Sequence, residues 1–246
     1  MLAKVLVVGD GRMGSIVCDI VRDAPDLELA GVVGKDSAGL LSDGSVEADV
    51  VIDFSHKAML ADVEAFVAQT RAALVSGTTG YDDDDMARLQ ALSHKAAVIH
   101  SANYSIGVAA LRHLASHAAR LLEGFDIEIV ETHHNKKADA PSGTAKMLLA
   151  AVDPEARADV VHGREGMTGA RKPTEIGIHA VRGGTVAGTH TVHFFGQEEE
   201  VSLTHRASSR RIFAEGAVEA ARRIAGRPAG MYTFDDLLFA DKKGIR

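Results

Sequence analysis

The sequence has a single cysteine, no long apolar run and no excess of basic residues, and each shortage excludes a class of protein. Cys18 has no second cysteine for an internal disulfide or a cysteine-built zinc site, which fits a reducing compartment. Every apolar run is shorter than the roughly 18 residues of a membrane-spanning helix, so we expect no membrane segment. With 34 acidic and 27 basic residues, the net charge of -7 argues against a broad nucleic-acid-binding face.

The chain does have enough apolar residues for a sizeable core. Its 246 residues are 46% hydrophobic, and at roughly 150 residues per domain this length predicts one to two domains. The apolar start runs past Lys4 directly into Gly-Asp-Gly-Arg, without a cleavage site, so we expect a buried first strand rather than an export signal. Without a signal, anchor or lipidation motif, the expected location is the cytoplasm.

The first hundred residues alternate short apolar, β-branched runs with stretches of helical period. This is the pattern of a parallel sheet covered by helices, and right-handed crossovers make that sheet doubly wound. We therefore predict an α/β fold with a Rossmann-like doubly wound parallel sheet. The predicted strands are Lys4–Val8, Leu27–Val33, Asp49–Phe54, Ala72–Ser76 and Ala97–Ser101, and the predicted helices are Met13–Arg22, Lys57–Thr70 and Asp83–His94, the last capped by Asp82 or Asp83.

After Asn103 the pattern changes to a long helix followed by strands without obvious intervening helices. Short loops between strands indicate a mixed or antiparallel sheet, and hence a second, smaller α+β domain carrying a mixed sheet. The predicted elements are a helix at Ile106–Leu122, strands at Phe125–Thr132, Ile176–Val181, His190–Gly196 and Val201–His205, and helices at Ser208–Ala225 and from Thr233 onward. The last part of the chain is expected to return to the first domain. The predicted domains are residues 1–105 with 210–246, and residues 106–209.

A glycine motif follows the first predicted strand. The segment from Gly9 to Gly14 has the spacing G-x-G-x-x-G and opens a helix, as dinucleotide binding requires. Gly9 permits a tight turn, Gly11 lets a pyrophosphate approach backbone N–H groups, and Gly14 lets helix and strand pack closely. The alternative is a glycine turn without a ligand.

Two further segments follow strands of the same predicted sheet. Lys35 and Asp36 come about twenty residues beyond the glycines, where a cation favours a ribose 2′-phosphate and an acid favours the free 2′-hydroxyl. The alternative is a pair of solvated loop charges. Gly77-Thr78-Thr79-Gly80 follows the fourth strand, at the edge where doubly wound sheets bind ligands, although a plain hydroxyl-rich turn would look the same.

The segment from Glu131 to Ala145 is the densest in chemistry, with two histidines and two lysines before a predicted helix start. That start, Pro141–Thr144, offers N–H groups and a positive dipole end to a carboxylate, and Lys137 adds a full charge. Adjacent histidines on a strand point to opposite faces, so a metal site would need another histidine elsewhere. A solvated charged loop is the other alternative.

At this point the sequence resembles the 4-hydroxy-tetrahydrodipicolinate reductase family, also called dihydrodipicolinate reductase, of the diaminopimelate route to lysine. The resemblance covers nearly the whole chain, and the block from Glu131 to Ala145 is its most specific part. The other matching segments are Val8–Gly14, Val51–Ser55, Ser76–Gly80, Ala102–Val108, Arg182–Gly184 and His205–Arg210.

The resemblance implies a Rossmann domain that binds NADH or NADPH, a second domain that binds a small cyclic dicarboxylate, and a homotetramer built through the second sheet. From the residues themselves we expect no metal, no nucleic acid and no membrane. His133 matches the catalytic proton-transfer histidine and Lys137 the catalytic lysine. Positions expected to hold the substrate carboxylates are His134, Ser142, Gly143 and Thr144. Positions expected to contact the cofactor are Gly9, Asp10, Gly11, Arg12, Met13, Lys35, Phe54, Gly77, Thr78, Thr79, Ser101, Ala102, Asn103 and Tyr104.

The chain departs from the family pattern at the end of the second strand. Lys35 stands where family members often have Glu, which indicates NADPH or dual use rather than strict NADH use. Asn135 and Lys136 replace a common Arg-His pair but leave the catalytic positions intact. Two other functions stay open from the sequence: another nicotinamide-dependent oxidoreductase of small acids, and a dinucleotide sensor without catalysis.

Overall fold

The computed structural model describes residues 2–239, which form two compact units. The first unit comprises residues 2–106 and 211–239, and the second unit comprises residues 107–210. Residues 1 and 240–246, which belong to the predicted first domain, lie outside the described residues. No helix within residues 2–239 is long and apolar enough to cross a membrane.

The first unit is built on a six-stranded parallel sheet in the order β11-β5-β4-β3-β1-β2. Its strands are β1 (Ala3–Val8), β2 (Leu27–Val33), β3 (Val50–Asp53), β4 (Ala73–Ser76), β5 (Ala97–His100) and β11 (Gly230–Tyr232). The chain order reverses at β1, which lies between β2 and β3, and such a switch point is where doubly wound sheets bind ligands. The predicted Rossmann-like doubly wound sheet is confirmed.

Helices cover both faces of this sheet, which explains why its inner strands are buried. Every residue of β3 and β4 is buried, as expected for parallel strands with helices on each side. The helices are α1 (Arg12–Asp23), α2 (Leu60–Thr70), α3 (Asp83–Leu92), α6 (Arg211–Ile224) and α7 (Phe234–Phe239). Asp82 caps α3 through its side chain, and Thr233 does the same for α7.

The second unit contains a mixed five-stranded sheet in the order β10-β9-β6-β8-β7, as the sequence predicted. Its strands are β6 (Asp126–His133), β7 (Asp159–Val161), β8 (Glu175–Arg182), β9 (Gly188–Phe195) and β10 (Glu200–Ala207). Strand β6 is parallel to β8 and antiparallel to β9. Helices α4 (Ile106–Leu121) and α5 (Gly143–Val152) contribute Leu111 and Leu148 to a core with Ile129 and Phe194 of the sheet.

The sequence pattern showed no obvious complete helix between these strands, although it predicted a helix start at Pro141–Thr144. Helix α5 lies between β6 and β7, and its sequence predicted only its first turn because it is apolar almost throughout, with Lys146 as its one charged residue. Strands β7 and β11 were also missed, since each has three residues and is recognisable as a strand only by its pairing with β8 or β5. A 3-10 helix at Lys35–Leu41 was not predicted either.

Candidate functional site

The predicted cofactor residues of the first unit all lie at the carboxyl ends of strands β1 to β5. Gly9–Met13 follow β1, Lys35 follows β2, Phe54 follows β3, Gly77–Thr79 follow β4 and Ser101–Tyr104 follow β5. Because these five strands are parallel neighbours, their carboxyl ends share one edge of the sheet. The fold therefore brings fourteen sequence-predicted positions to one edge.

The glycine turn at this edge has room for a ligand at one position only. Gly9 has φ of +111°, and a Cβ there would lie 2.5 Å from the carbonyl oxygen of Phe54. A Cβ at Gly14 would overlap the carbonyl oxygen of Gly9. At Gly11 a Cβ would meet no atom within 4 Å. Gly11 is the N-cap of α1, and no side chain caps this helix. Residues 9–14 therefore fit a pyrophosphate at the N-terminus of α1.

Lys35 is exposed and opens the 3-10 helix directly after β2. The turn before it is fixed, because the side chain of Asp10 fills the space beside Gly34, and the N–H of Gly34 donates to Ser37 Oγ at 2.9 Å. The Lys35 ammonium thus stands at the end of the strand next to the glycine turn. This is the position at which a ribose 2′-substituent is read in such folds.

A buried carboxylate organises the loops after β3 and β4. Asp53 is 1% exposed and accepts hydrogen bonds from Ser55 Oγ at 2.6 Å, Thr78 Oγ1 at 2.9 Å and Tyr81 OH at 3.3 Å. Burial and the Asp53 charge raise the pKa of Tyr81 to about 12, so its hydroxyl stays a donor. Next to it, burial lowers the pKa of His100. Asp53, which was not among the predicted site residues, holds the Gly77–Thr79 loop in place.

The segment after β5 is held by its own hydrogen bonds. Ser101 Oγ donates to the carbonyl of Asn103 at 2.8 Å, and Asn103 Oδ1 accepts from the N–H of Ser105 at 2.8 Å. Tyr104 is 1% exposed, and its hydroxyl donates to the carbonyl of Ser76 at 2.8 Å. The side chain of Tyr104 therefore ties β5 to β4 and faces the protein interior.

In the second unit, the predicted proton donor His133 ends β6 beside a fully buried carboxylate. Its Nδ1 lies 2.5 Å from Oε2 of Glu131, which is 0% exposed. Arg182 of β8 donates to both oxygens of Glu131, each at 2.8 Å. Burial by itself opposes the ionised form, but the hydrogen bonds from Arg182, His133 and the N–H of Ser142 hold the pKa of Glu131 below its ordinary value. These hydrogen bonds favour the ionised carboxylate, which can only accept hydrogen bonds.

A second histidine packs against His133 and links it to α5. The rings of His133 and His190 lie 5.0 Å apart in an edge-to-face arrangement. His190 Nε2 is 3.0 Å from Ser142 Oγ, which also accepts the N–H of Ala145 as the N-cap of α5. Burial, together with the nearby His133, lowers the pKa of His190 to about 4. His190 is therefore neutral at neutral pH.

The predicted carboxylate contacts converge on the start of α5. Gly143 and Thr144 form its first turn, at the positive end of the helix dipole. Lys137 Nζ donates to the exposed Asp139 at 2.7 Å, and this hydrogen bond lowers the pKa of Asp139. His134 lies in the turn before Lys137, and its buried Nδ1 has no hydrogen-bond partner among the described residues.

Sequence reasoning missed four residues around His133, namely Glu131, Arg182, Gly188 and His190. Glu131 could have been found, because residues two apart on a strand share a face. Arg182 and His190 come next to β6 only through strand pairing. Gly188 has φ of +154°, and a Cβ there would lie 3.1 Å from His133 Nε2, so the glycine leaves space at that nitrogen.

No group of three or more His, Cys, Asp or Glu side chains in the described part of the chain could hold a metal ion. The second unit brings together an imidazole, a lysine and a helix N-terminus, at His133, Lys137 and the start of α5. An acid next to a cation and a helix N-terminus is suited to bind a carboxylate and protonate a neighbouring atom.

Comparison with known proteins agrees with both units. Residues 3–104 match the family model described as dihydrodipicolinate reductase, N-terminus, and residues 107–238 match the model of its C-terminus. The 4-hydroxy-tetrahydrodipicolinate reductase of Caldanaerobacter subterraneus is 41% identical, with 99% of this chain and 100% of that protein covered. The reductase of the same name from Methanopyrus kandleri is 39% identical, with 99% of each covered.

A solved structure shows the same architecture. The dipicolinate-bound dihydrodipicolinate reductase from Paenisporosarcina sp. TG-14 has a TM-score of 0.78 and 25% identity, covering 97% of this chain and 100% of that chain. The fold and the relatives define an NAD(P)H-dependent oxidoreductase that uses NADH or NADPH. The chain belongs to the dihydrodipicolinate reductase family, and the resemblance found in its sequence is confirmed.

Proposed function

We propose that this chain reduces 4-hydroxy-tetrahydrodipicolinate to tetrahydrodipicolinate in the diaminopimelate route to lysine, in the cytoplasm. The observation that supports it best is the grouping of His133, Lys137 and the start of α5 on one side of the second sheet. The balanced reaction takes up one hydride and one proton and releases one water. The dinucleotide, when bound, supplies the hydride.

Lys137 and the start of α5 at Gly143 and Thr144 are proposed to hold one substrate carboxylate. The N–H of Ser142, which was expected to join them, already donates to Glu131 Oε1 at 3.0 Å. Lys137 is largely shielded, with 20% of its side chain exposed, whereas its partner Asp139 is 62% exposed. A cation and a carboxylate about 4 Å apart attract by roughly 4 kcal/mol at an effective dielectric near 20, before desolvation. The substrate carboxylate therefore competes well with the exposed Asp139 for the Lys137 ammonium.

His133 is proposed to donate the proton that balances hydride addition to the conjugated imine. Its Nδ1 is engaged by Glu131, so Nε2 is the nitrogen available to the substrate. The neighbouring His190 is neutral, with a pKa of about 4, and does not serve as a donor at neutral pH. Two histidines in ring contact thus differ in role because their surroundings differ.

The test of this function is an assay in which the protein is mixed with freshly generated 4-hydroxy-tetrahydrodipicolinate. Oxidation of NADPH, and separately of NADH, is monitored by absorbance. Turnover with either cofactor supports the proposal. Turnover only with a different small acid would favour the broader oxidoreductase. Tight NADPH binding without turnover of any imine dicarboxylate would overturn the proposal in favour of a dinucleotide sensor.

Lys35 is proposed to contact the 2′-phosphate of NADPH. Lys35→Glu removes an attraction and adds a repulsion, each about 1 kcal/mol at an exposed site, so the ratio of kcat/KM for NADPH over NADH is expected to fall at least tenfold. Lys95→Glu is the control, because Lys95 is also exposed but precedes β5 at the opposite edge of the sheet. An unchanged ratio in Lys35→Glu would mean that Lys35 is only a solvated loop charge.

The face of the second sheet opposite its helices is proposed to join four copies of the chain. Val181 and Phe195 are 48% and 39% exposed on this face, and Thr191 and Thr204 form a hydrogen bond across it. Exposed apolar side chains on a broad sheet are typical of an association surface. Light scattering is expected to give four times the chain mass of 26.0 kDa, and a single-chain mass at assay concentration would contradict the proposal.

A further inference from the structure

Glu131 is a buried, charged group to which the proposed chemistry has not assigned a role. It lies two residues before His133 on β6, so both side chains share the face that carries α5. A fully buried carboxylate is costly unless each oxygen is paired. Apart from Arg182, its partners belong to the two parts of the proposed site, namely His133 and the start of α5.

The two oxygens of Glu131 hold different partners. Oε2 accepts from His133 Nδ1 at 2.5 Å, and Oε1 accepts from the N–H of Ser142 at 3.0 Å. Arg182 bridges both oxygens at 2.8 Å and also donates to the carbonyl of Asp139. One carboxylate therefore joins the acid, the start of α5 and the loop of Lys137.

We propose that Glu131 is a positioning residue of the reduction, a role that rests on the proposed function. It fixes His133 as the Nδ1–H tautomer with Nε2 turned outward, and its charge stabilises the imidazolium that donates the proton. Through Ser142 it also fixes the helix start that receives the substrate carboxylate. Acid and anion site are thus held at a constant separation by one side chain.

Other charged and titratable groups lie on the elements around His133. Arg182 from β8 and Lys137 from the following loop are cations, and Asp139 is an exposed anion paired with Lys137. His190 from β9 is neutral at neutral pH, and His205 of β10 lies beside His190, with its own pKa lowered by burial. Glu131 is the anion in direct contact with the His133 ring. We therefore expect its removal to change the pH dependence of kcat more than removal of any of these other groups.

The experiment compares Glu131→Gln with wild type across pH. Gln keeps the size and the carbonyl acceptor but removes the charge. In a plot of kcat against pH, the fall of kcat toward alkaline pH is expected to begin about one pH unit lower than in wild type. At a given pH within that fall, kcat is then about tenfold lower. Activity is expected to recover toward acid pH, and the dissociation constant for NADPH to stay unchanged. If Glu131→Gln had wild-type turnover and kcat fell at the same alkaline pH as in wild type, the inference would be overturned, while the proposed function would still stand.

Glu128→Gln is the matched control. Glu128 lies on the same strand but on the opposite face, and it also accepts from a histidine and two arginines, namely His179, Arg164 and Arg171. Loss of a similar carboxylate network is expected to leave the alkaline limb of kcat in place. An equal shift in both variants would mean that the effect of Glu131→Gln is merely structural.

A second measurement needs neither turnover nor a variant at Glu131. Histidine-labelled wild type with NADPH bound is studied by ¹⁵N NMR, and the His133 resonances are assigned by their absence in His133→Gln. The neutral ring is expected to carry its proton on Nδ1. A neutral ring with the proton on Nε2 would overturn the inference, even if the chain reduced no imine.

Discussion

His133→Gln is expected to lower kcat by a factor of about 10² to 10⁴, the usual contribution of a general acid. The Gln amide still offers an N–H to Glu131, so the buried carboxylate keeps a donor and the fold is expected to remain intact. What is lost is the ionisable nitrogen beside the substrate. Steady-state kinetics with freshly generated substrate measures the loss. We expect kcat of wild type to fall toward alkaline pH as His133 loses its proton, and kcat of the variant not to show this fall.

Binding measurements separate this loss from a damaged site. Dipicolinate and NADPH dissociation constants of His133→Gln are expected to stay within about threefold of wild type, because His133 is not proposed to hold a carboxylate. Lys137→Met is expected to weaken dipicolinate binding at least tenfold, or about 1.4 kcal/mol. Lys136→Met is the control, since Lys136 is exposed in the same turn. Full kcat in His133→Gln would refute its role as the acid.

Much of the first unit followed from the sequence because its signals are local. Strand β1 was predicted at Lys4–Val8 and is observed at Ala3–Val8, since a buried parallel strand is marked by an apolar run, here Val5–Val8. The glycine turn and the residues after each strand were located for the same reason. Strand β11 could not be predicted, because its three residues form a strand only by pairing with β5.

The candidate site of the second unit was only half predictable. His133, Lys137 and the helix start lie within one short segment, and residue type and spacing marked them. The group that orients His133 is completed by Arg182, 51 residues beyond Glu131, and Ser142 is joined to His190, 48 residues away. These partners meet because β6 lies between β8 and β9, and no local pattern specifies that strand order.

Gly14→Ala is expected to lower the free energy of unfolding by about 3 kcal/mol and to abolish NADPH binding. The added methyl group would overlap the carbonyl oxygen of Gly9, a backbone atom that cannot move aside as a flexible side chain could. Overpacking of a rigid contact costs about 1–3 kcal/mol and occasionally more. The turn that presents the N–H groups of α1 would shift with it. Urea denaturation and calorimetric titration with NADPH measure the two effects.

Gly11→Ala is the partner variant that separates packing from binding. Gly11 has an ordinary φ of -77°, and a Cβ there meets no atom of the chain within 4 Å. Stability is expected to stay the same or rise by up to about 1 kcal/mol, because alanine restricts the unfolded chain. The methyl group would nevertheless occupy the space proposed for the pyrophosphate, so NADPH affinity is expected to fall at least tenfold. Wild-type NADPH affinity in Gly11→Ala would show that the pyrophosphate lies elsewhere, whereas loss of binding without loss of stability would assign the open space at Gly11 to the cofactor.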